Sequence, residues 1–157
     1  MKRFLLVITL FFALFGCATP YRSSSYSENT VQYLRDQGNG SITVRVAASG
    51  RNYADALDQA SKFALRQTIF HGITVPGNSI LSKPLVTEVN AEEKYQLFFN
   101  TFFSESGDYS KFVSAQDKRF RSDQLAKDKV SVRTVTTIRI LRADLKNYLL
   151  EKNIIKP

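Results

Sequence analysis

Apolar and polar residues alternate in two segments of the chain, and a period of two predicts strands that are buried on one face. The first segment runs from Ser41 to Ser49 and ends at Gly50. The second, Lys129–Leu141, is dense in Val, Thr and Ile, residue types that favour strands. Tyr109–Arg121 is predicted to lead through a turn into one more strand, and a polar connection follows it.

Apolar residues recur at helical spacing in three other segments. Asn52 is predicted to cap the first helix, which ends at Gly72 and carries alanines that allow close packing against a sheet. A capping-box pattern at Asn90 and Glu93 predicts the second helix, and Asp144–Lys152 the third. The order β-α-α-β-β-α predicts an α+β fold, with helices packed on one face of a small antiparallel or mixed sheet.

The second predicted helix carries an aromatic stripe at positions i, i+3, i+4, i+7 and i+8: Tyr95, Phe98, Phe99, Phe102 and Phe103. One hypothesis makes this stripe a core face of the domain. The other makes it a docking stripe for a partner, which requires that it stay exposed in the monomer.

The amino terminus joins a basic start to an apolar segment. Lys2 and Arg3 precede Phe4–Phe15, which is shorter than the roughly 20 residues of a membrane-spanning helix. The pattern predicts a cleavable signal peptide at residues 1–16. Its end resembles a bacterial lipobox, in which the signal-peptidase recognition residues are Leu14, Phe15 and Gly16.

Cys17 follows directly and is the only cysteine in the chain. We expect it to carry a covalent lipid, diacylglycerol on the thiol and an N-acyl chain such as palmitate, because two or more acyl chains give stable membrane anchoring. Ala18 stands where enterobacterial-type sorting uses Asp for inner-membrane retention, so the outer membrane, facing the periplasm, is favoured. Residues 17–40 are predicted to form the lipidated cysteine and a flexible tether, and residues 41–157 a single α+β domain.

The charge balance is basic, with 22 Lys and Arg against 14 Asp and Glu, and a formal charge of +8. Removal of the signal peptide with Lys2 and Arg3 leaves 20 against 14, or +6. The strands contribute a candidate face for an anionic partner: Arg45, Lys129, Arg133 and Arg139. A solvated sheet face that binds nothing explains the same pattern, and export from the cytoplasm argues against nucleic acid.

The sequence offers little support for catalysis. His71, the single histidine, lies at a predicted helix end, and Glu92 and Glu93 lie in a first helical turn, where such residues favour the helix dipole. The chain has no glycine-rich phosphate loop, no HExxH and no GxSxG motif. We therefore expect no catalytic residues, no metal site and no cofactor beyond the lipid.

One segment resembles a known family. The strand Val44–Gly50 is followed by an alanine-spaced helix from Tyr53 through Leu65, and Leu65-Arg66 echoes the Ala-Arg pair of that family. This arrangement is similar to the small domain shared by the amino-terminal region of flagellar assembly protein T and the Helicobacter-type surface lipoproteins. The resemblance covers Ser41–Ile73 and, more loosely, Val113–Leu150, and implies a non-catalytic element of an envelope assembly.

Together these features give three functional hypotheses. The first is a structural or assembly lipoprotein that docks onto a cell-envelope complex, such as secretion or surface-appendage machinery. The second is a binding module for an anionic envelope polymer such as lipopolysaccharide or capsule. The third is a cryptic hydrolase.

Overall fold

The computed structural model describes residues 29–115, 125–127 and 131–156, with the backbone alone described for 125–127. Within these ranges the chain forms one antiparallel sheet in the order β1-β2-β5, and two short strands, β3 and β4, share the far edge of β5. The strands are β1 (Thr30–Asp36), β2 (Ile42–Gly50), β3 (Val113–Ala115), β4 (Leu125–Lys127) and β5 (Val132–Ile140). The predicted α+β class is confirmed, and the sheet is antiparallel.

The two predicted alternating strands pair with each other at the centre of the sheet. Ile42 lies opposite Ile140, and Val44 opposite Ile138. All four side chains are at most 1% exposed, so they form the floor of the core. Alternate residues on both strands point away from this core. The pairing register of β2 and β5 is fixed, because a slip by one residue would expose the apolar side chains of one strand.

Helices and helical turns cover the core face of the sheet. They are α1 (Tyr53–Arg66), a π-helical turn (Gln67–His71), α2 (Ser79–Ser82), α3 (Ala91–Lys94), α4 (Gln96–Phe102), a 3₁₀ helix (Asp108–Phe112) and α5 (Arg142–Glu151). Asn52 caps α1 by accepting a hydrogen bond from the Asp55 backbone N–H at 3.0 Å, as its position predicts. Ala56, Ala60 and Ala64 are fully buried, and their small side chains bring α1 close to the strands.

The predicted tether is wrong for the part of residues 17–40 that the structure describes. Thr30–Asp36 forms the edge strand β1, which pairs with β2. Only Val31 and Tyr33 are partly buried there, so the alternation is too short to stand out in the sequence. The backbone hydrogen bonds of β2 stabilise this strand, so the domain includes Thr30–Asp36 and does not begin at residue 41.

The predicted second helix is divided into α3 and α4 at Tyr95, whose backbone (φ −105°, ψ 26°) leaves the helical range. The predicted capping box is also wrong, because Asn90 adopts a left-handed conformation (φ 57°) and its side chain makes no capping hydrogen bond. The break turns the two segments so that their apolar residues reach one core.

The docking hypothesis for the aromatic stripe is wrong, because the stripe is part of the core. Phe99 and Phe102 are 2% exposed and Phe103 is 7% exposed, while Tyr95 and Phe98 pack against the same cluster. The rings contact one another and Phe70, Phe112 and Tyr148, for example edge to face between Phe70 and Phe99, with centroids 4.8 Å apart. A partner could reach Phe99, Phe102 and Phe103 only if the domain unfolded.

Candidate anionic-partner interface

The face of the sheet opposite α1 carries most of the predicted basic residues. Arg45 lies on β2 opposite Thr137, while Arg133 and Arg139 lie on β5 opposite Ser49 and Thr43. All three arginines therefore share one side of the sheet, because residues directly opposite each other in a ladder point to the same face. The strand periodicity predicted this grouping correctly for Arg45, Arg133 and Arg139.

Arg35, on β1, is a further member of this face that the sequence did not predict. It lies opposite Thr43 across the β1–β2 pair, beyond a register shift between Tyr33 and Arg35. Because β1 was assigned to the tether, no sequence signal placed this arginine on a sheet. We call the surface formed by Arg35, Arg45, Arg133 and Arg139 the arginine face.

The arginine face is broad enough for an extended ligand. Arg133 and Arg139 are six residues apart along β5, or about 20 Å, and Arg35 and Arg139 are two strand spacings apart, or about 10 Å. Arg35 and Arg45 are exposed, and Arg133 and Arg139 are partly buried. No acidic residue lies among the described strand positions of this face.

Polar side chains hold one end of the arginine face in place. Arg139 donates a hydrogen bond from Nε to Ser41 Oγ at 3.1 Å, and Ser41 Oγ contacts Asn39 Oδ1 at 2.5 Å. Gln37 donates from Nε2 to Thr43 Oγ1 at 2.9 Å. These hydrogen-bond partners are uncharged, so they hold this end of the arginine face in place without neutralising its positive charge.

No ion pair within the described ranges involves an arginine of this face. Two guanidinium groups about 10 Å apart in water repel each other by only about 0.4 kcal/mol, so the fold tolerates the cluster without counter-ions. The summed positive potential remains available to attract an anionic partner.

Several predicted residues lie outside the described ranges. They are Lys129 of the proposed face, the lipidation site Cys17, and the signal-peptidase recognition residues Leu14, Phe15 and Gly16. The assignments of these residues remain predictions. In the described ranges, no cluster of three or more His, Cys, Asp or Glu side chains could hold a metal ion, and no helix is both long and apolar enough to cross a membrane.

The sequence matches no protein-family model, and neither a curated protein nor a solved structure is significantly similar to the chain. The arginine face therefore has to be interpreted from its own geometry and charge.

Proposed function

We propose that this chain is a non-catalytic lipoprotein of the cell envelope, anchored through Cys17 in the outer membrane, whose domain binds an anionic envelope polymer through the arginine face. The observation that carries the proposal is the grouping of Arg35, Arg45, Arg133 and Arg139 on one face, whose described strand positions include no acidic residue. Lipopolysaccharide and capsule, which carry repeated negative charges, are the ligand class that suits a basic surface of this size.

The geometry changes the order of the sequence-based hypotheses. The aromatic stripe was the candidate docking surface for an assembly role in secretion or surface-appendage machinery, and its Phe99, Phe102 and Phe103 are buried. The arginine face depends on register and charge alone. Polymer binding therefore ranks first, and docking onto an envelope complex ranks second.

The test uses the full chain, lipidated and held in nanodiscs of phosphatidylcholine, titrated with purified lipopolysaccharide or capsule fragments. The variant Arg133→Glu with Arg139→Glu should weaken binding by about tenfold or more, since each basic residue near an anionic surface contributes about 1 kcal/mol. Wild-type affinity should fall as salt rises, because screening shortens the range of surface charges.

The matched control is Lys111→Glu with Lys152→Glu. Both lysines are exposed and lie away from the arginine face. Lys111 pairs with Asp108, and Lys152 pairs with Glu151 and lies over the Tyr148 ring, 5.4 Å from its centroid. Reversing both lysines changes the net charge by the same amount as reversing the two arginines. Retained binding in this control and loss in the arginine variant would support the proposal. Equal loss in both variants, or no binding by the wild type at low salt, would refute the assigned face.

A further inference from the structure

A second basic surface surrounds a cleft on the helical side of the domain. The cleft has a volume of about 570 Å³ and lies between the connection that follows α2, the α3–α4 junction, the start of α5 and the segment Asn153–Lys156. Cavities of this size hold small molecules in proteins. The cleft is separate from the arginine face, none of whose residues lines it.

Cationic side chains dominate the charge of the cleft, which is lined by Lys83, Lys94, Arg142, Lys146 and Lys156. Its one acidic side chain, Glu88, forms an ion pair with Lys94 and accepts a hydrogen bond from the Tyr95 hydroxyl at 3.2 Å. The hydrogen bond from Lys94, with a smaller effect of Lys156, lowers the pKa of Glu88, so its charge is already matched. Lys83, Arg142 and Lys146 form no ion pair with any described residue.

Arg142 is the best-positioned of these cations. One of its terminal nitrogens donates to the Lys83 carbonyl at 2.8 Å, which holds the guanidinium against the wall of the cleft. Its Nε is buried and has no hydrogen-bond partner among the described residues. Burial lowers the pKa of Arg142, as expected for a cation that has lost water without gaining an anion.

Apart from Thr87 and Asn153, the remaining lining of the cleft is mainly apolar. Val86 and Ile154 are buried at its base, and Leu85 and Ile155 are partly buried beside them. Ile80, at the rim, is 74% exposed, an unusual position for a large aliphatic side chain next to a cavity. A ligand that carries both an anionic group and an apolar chain would match the cationic and the apolar residues of the cleft.

We propose that this cleft binds a phosphate monoester with an apolar substituent, its phosphate held by Lys83, Arg142 and Lys146 and its chain lying on Ile80 and Leu85. A phosphate monoester carries a charge of about −1.5 to −2 at neutral pH, which the cations that line the cleft can balance. The inference does not depend on polymer binding at the arginine face.

Calorimetry on the full chain in phosphatidylcholine nanodiscs tests this inference, with empty nanodiscs as the blank for partitioning. The probes are hexyl phosphate, inorganic phosphate and hexanol, which separate the amphipathic ligand from its charged and apolar halves. Hexyl phosphate should bind at least about tenfold more tightly than inorganic phosphate, since each fully buried CH₂ contributes about fourfold in affinity. Equal affinity for hexyl phosphate and either half-ligand would overturn the inference.

Variants then locate the site. Lys83→Gln with Lys146→Gln, both at exposed positions, should weaken hexyl phosphate binding about tenfold, and Arg142→Gln should do so independently. Lys111→Gln with Lys152→Gln removes the same charge from exposed positions outside both the cleft and the arginine face, and should leave this affinity unchanged. Circular dichroism checks that each variant is folded. An equal loss in the Lys111 and Lys152 control, or full binding by the Lys83 and Lys146 variant, would refute the assigned cleft.

Discussion

At the scale of single residues, the core face of β5 contains two threonines with unusual surroundings. Thr134 and Thr136 are 1% and 2% exposed, and neither hydroxyl has a hydrogen-bond partner among the described residues. A buried polar group without a partner loses its water without compensation. We predict that Thr136→Val raises the free energy of unfolding by about 1 kcal/mol, measured by urea denaturation, because it replaces the hydroxyl with a methyl group of similar size.

Thr43 provides the matched control for this prediction. It is equally buried, at 1% exposure, but its hydroxyl accepts the hydrogen bond from Gln37. Thr43→Val should therefore lower the free energy of unfolding by about 1 kcal/mol, the opposite sign. Destabilisation of both variants to the same extent would show that the Thr136 hydroxyl has a partner after all.

The residue-scale predictions from sequence succeeded where strand periodicity is strong. Arg133 and Arg139 were placed on one face because they are separated by an even number of residues in a long β-branched strand. Arg35 was missed because its strand contributes only two partly buried side chains. The role of the aromatic stripe could not be decided from spacing, because a core face and a docking face have the same period.

At the scale of secondary-structure elements, the contact between β2 and α1 depends on Gly50. A Cβ at this position would collide with the backbone N of Ala56 and lie 2.7 Å from the carbonyl carbon of Asp55. We predict that Gly50→Ala destabilises the domain by about 2 kcal/mol, because the obstacle is helix backbone and cannot rotate away. Thermal unfolding of this variant should be compared with that of Ser49→Ala, an exposed neighbour on the same strand whose midpoint should change little.

Two tyrosine hydroxyls donate hydrogen bonds to carboxylates on other helices. The pKa values of these hydroxyls predict how the stability of the domain depends on pH. Tyr109 donates to Asp58 on α1, and Tyr148 on α5 donates to Asp108 at 2.7 Å. Burial, followed by these hydrogen bonds, raises the pKa of both hydroxyls to about 12, above the ordinary value of 10. Between these values the folded protein keeps protons that the unfolded chain has lost, so stability should fall as pH rises from 10 to 12.

The double variant Tyr109→Phe with Tyr148→Phe tests this dependence. It removes both titrating groups, so its free energy of unfolding should fall less steeply with pH across the same interval. Urea denaturation at several pH values measures the slope. Equal slopes for the wild type and the double variant would contradict the assignment.

The order of elements was only partly predictable. The end of β2 at Gly50 and the cap of α1 at Asn52 were both predicted correctly, because glycine and asparagine affect the backbone locally. The sequence pattern does not show the break at Tyr95, since α3 packs into the shared core through Ala91 and α4 through its phenylalanines. Such tertiary effects override a continuous helical pattern.

At the scale of the whole molecule, the strand β1 changes the distance between the domain and its predicted anchor. Cys17 and Thr30 are thirteen residues apart, so the chain between them can span at most about 45 Å. The sequence alone allowed a longer tether, to residue 40. The arginine face is therefore expected to act within this distance of the membrane surface.

Membrane attachment itself is predicted to depend on Cys17. Cys17→Ser removes the thiol that accepts diacylglycerol, and without acyl chains the protein loses the anchoring that two or more chains provide. We expect the variant to lose palmitate labelling and to leave the membrane fraction, while circular dichroism shows a folded domain, because the core that the structure describes is built from residues of β1 and the elements after it. Ser24→Ala, also outside the described ranges, is the control and should keep both label and attachment. Palmitate labelling and membrane retention that survive in Cys17→Ser would refute lipidation at this residue.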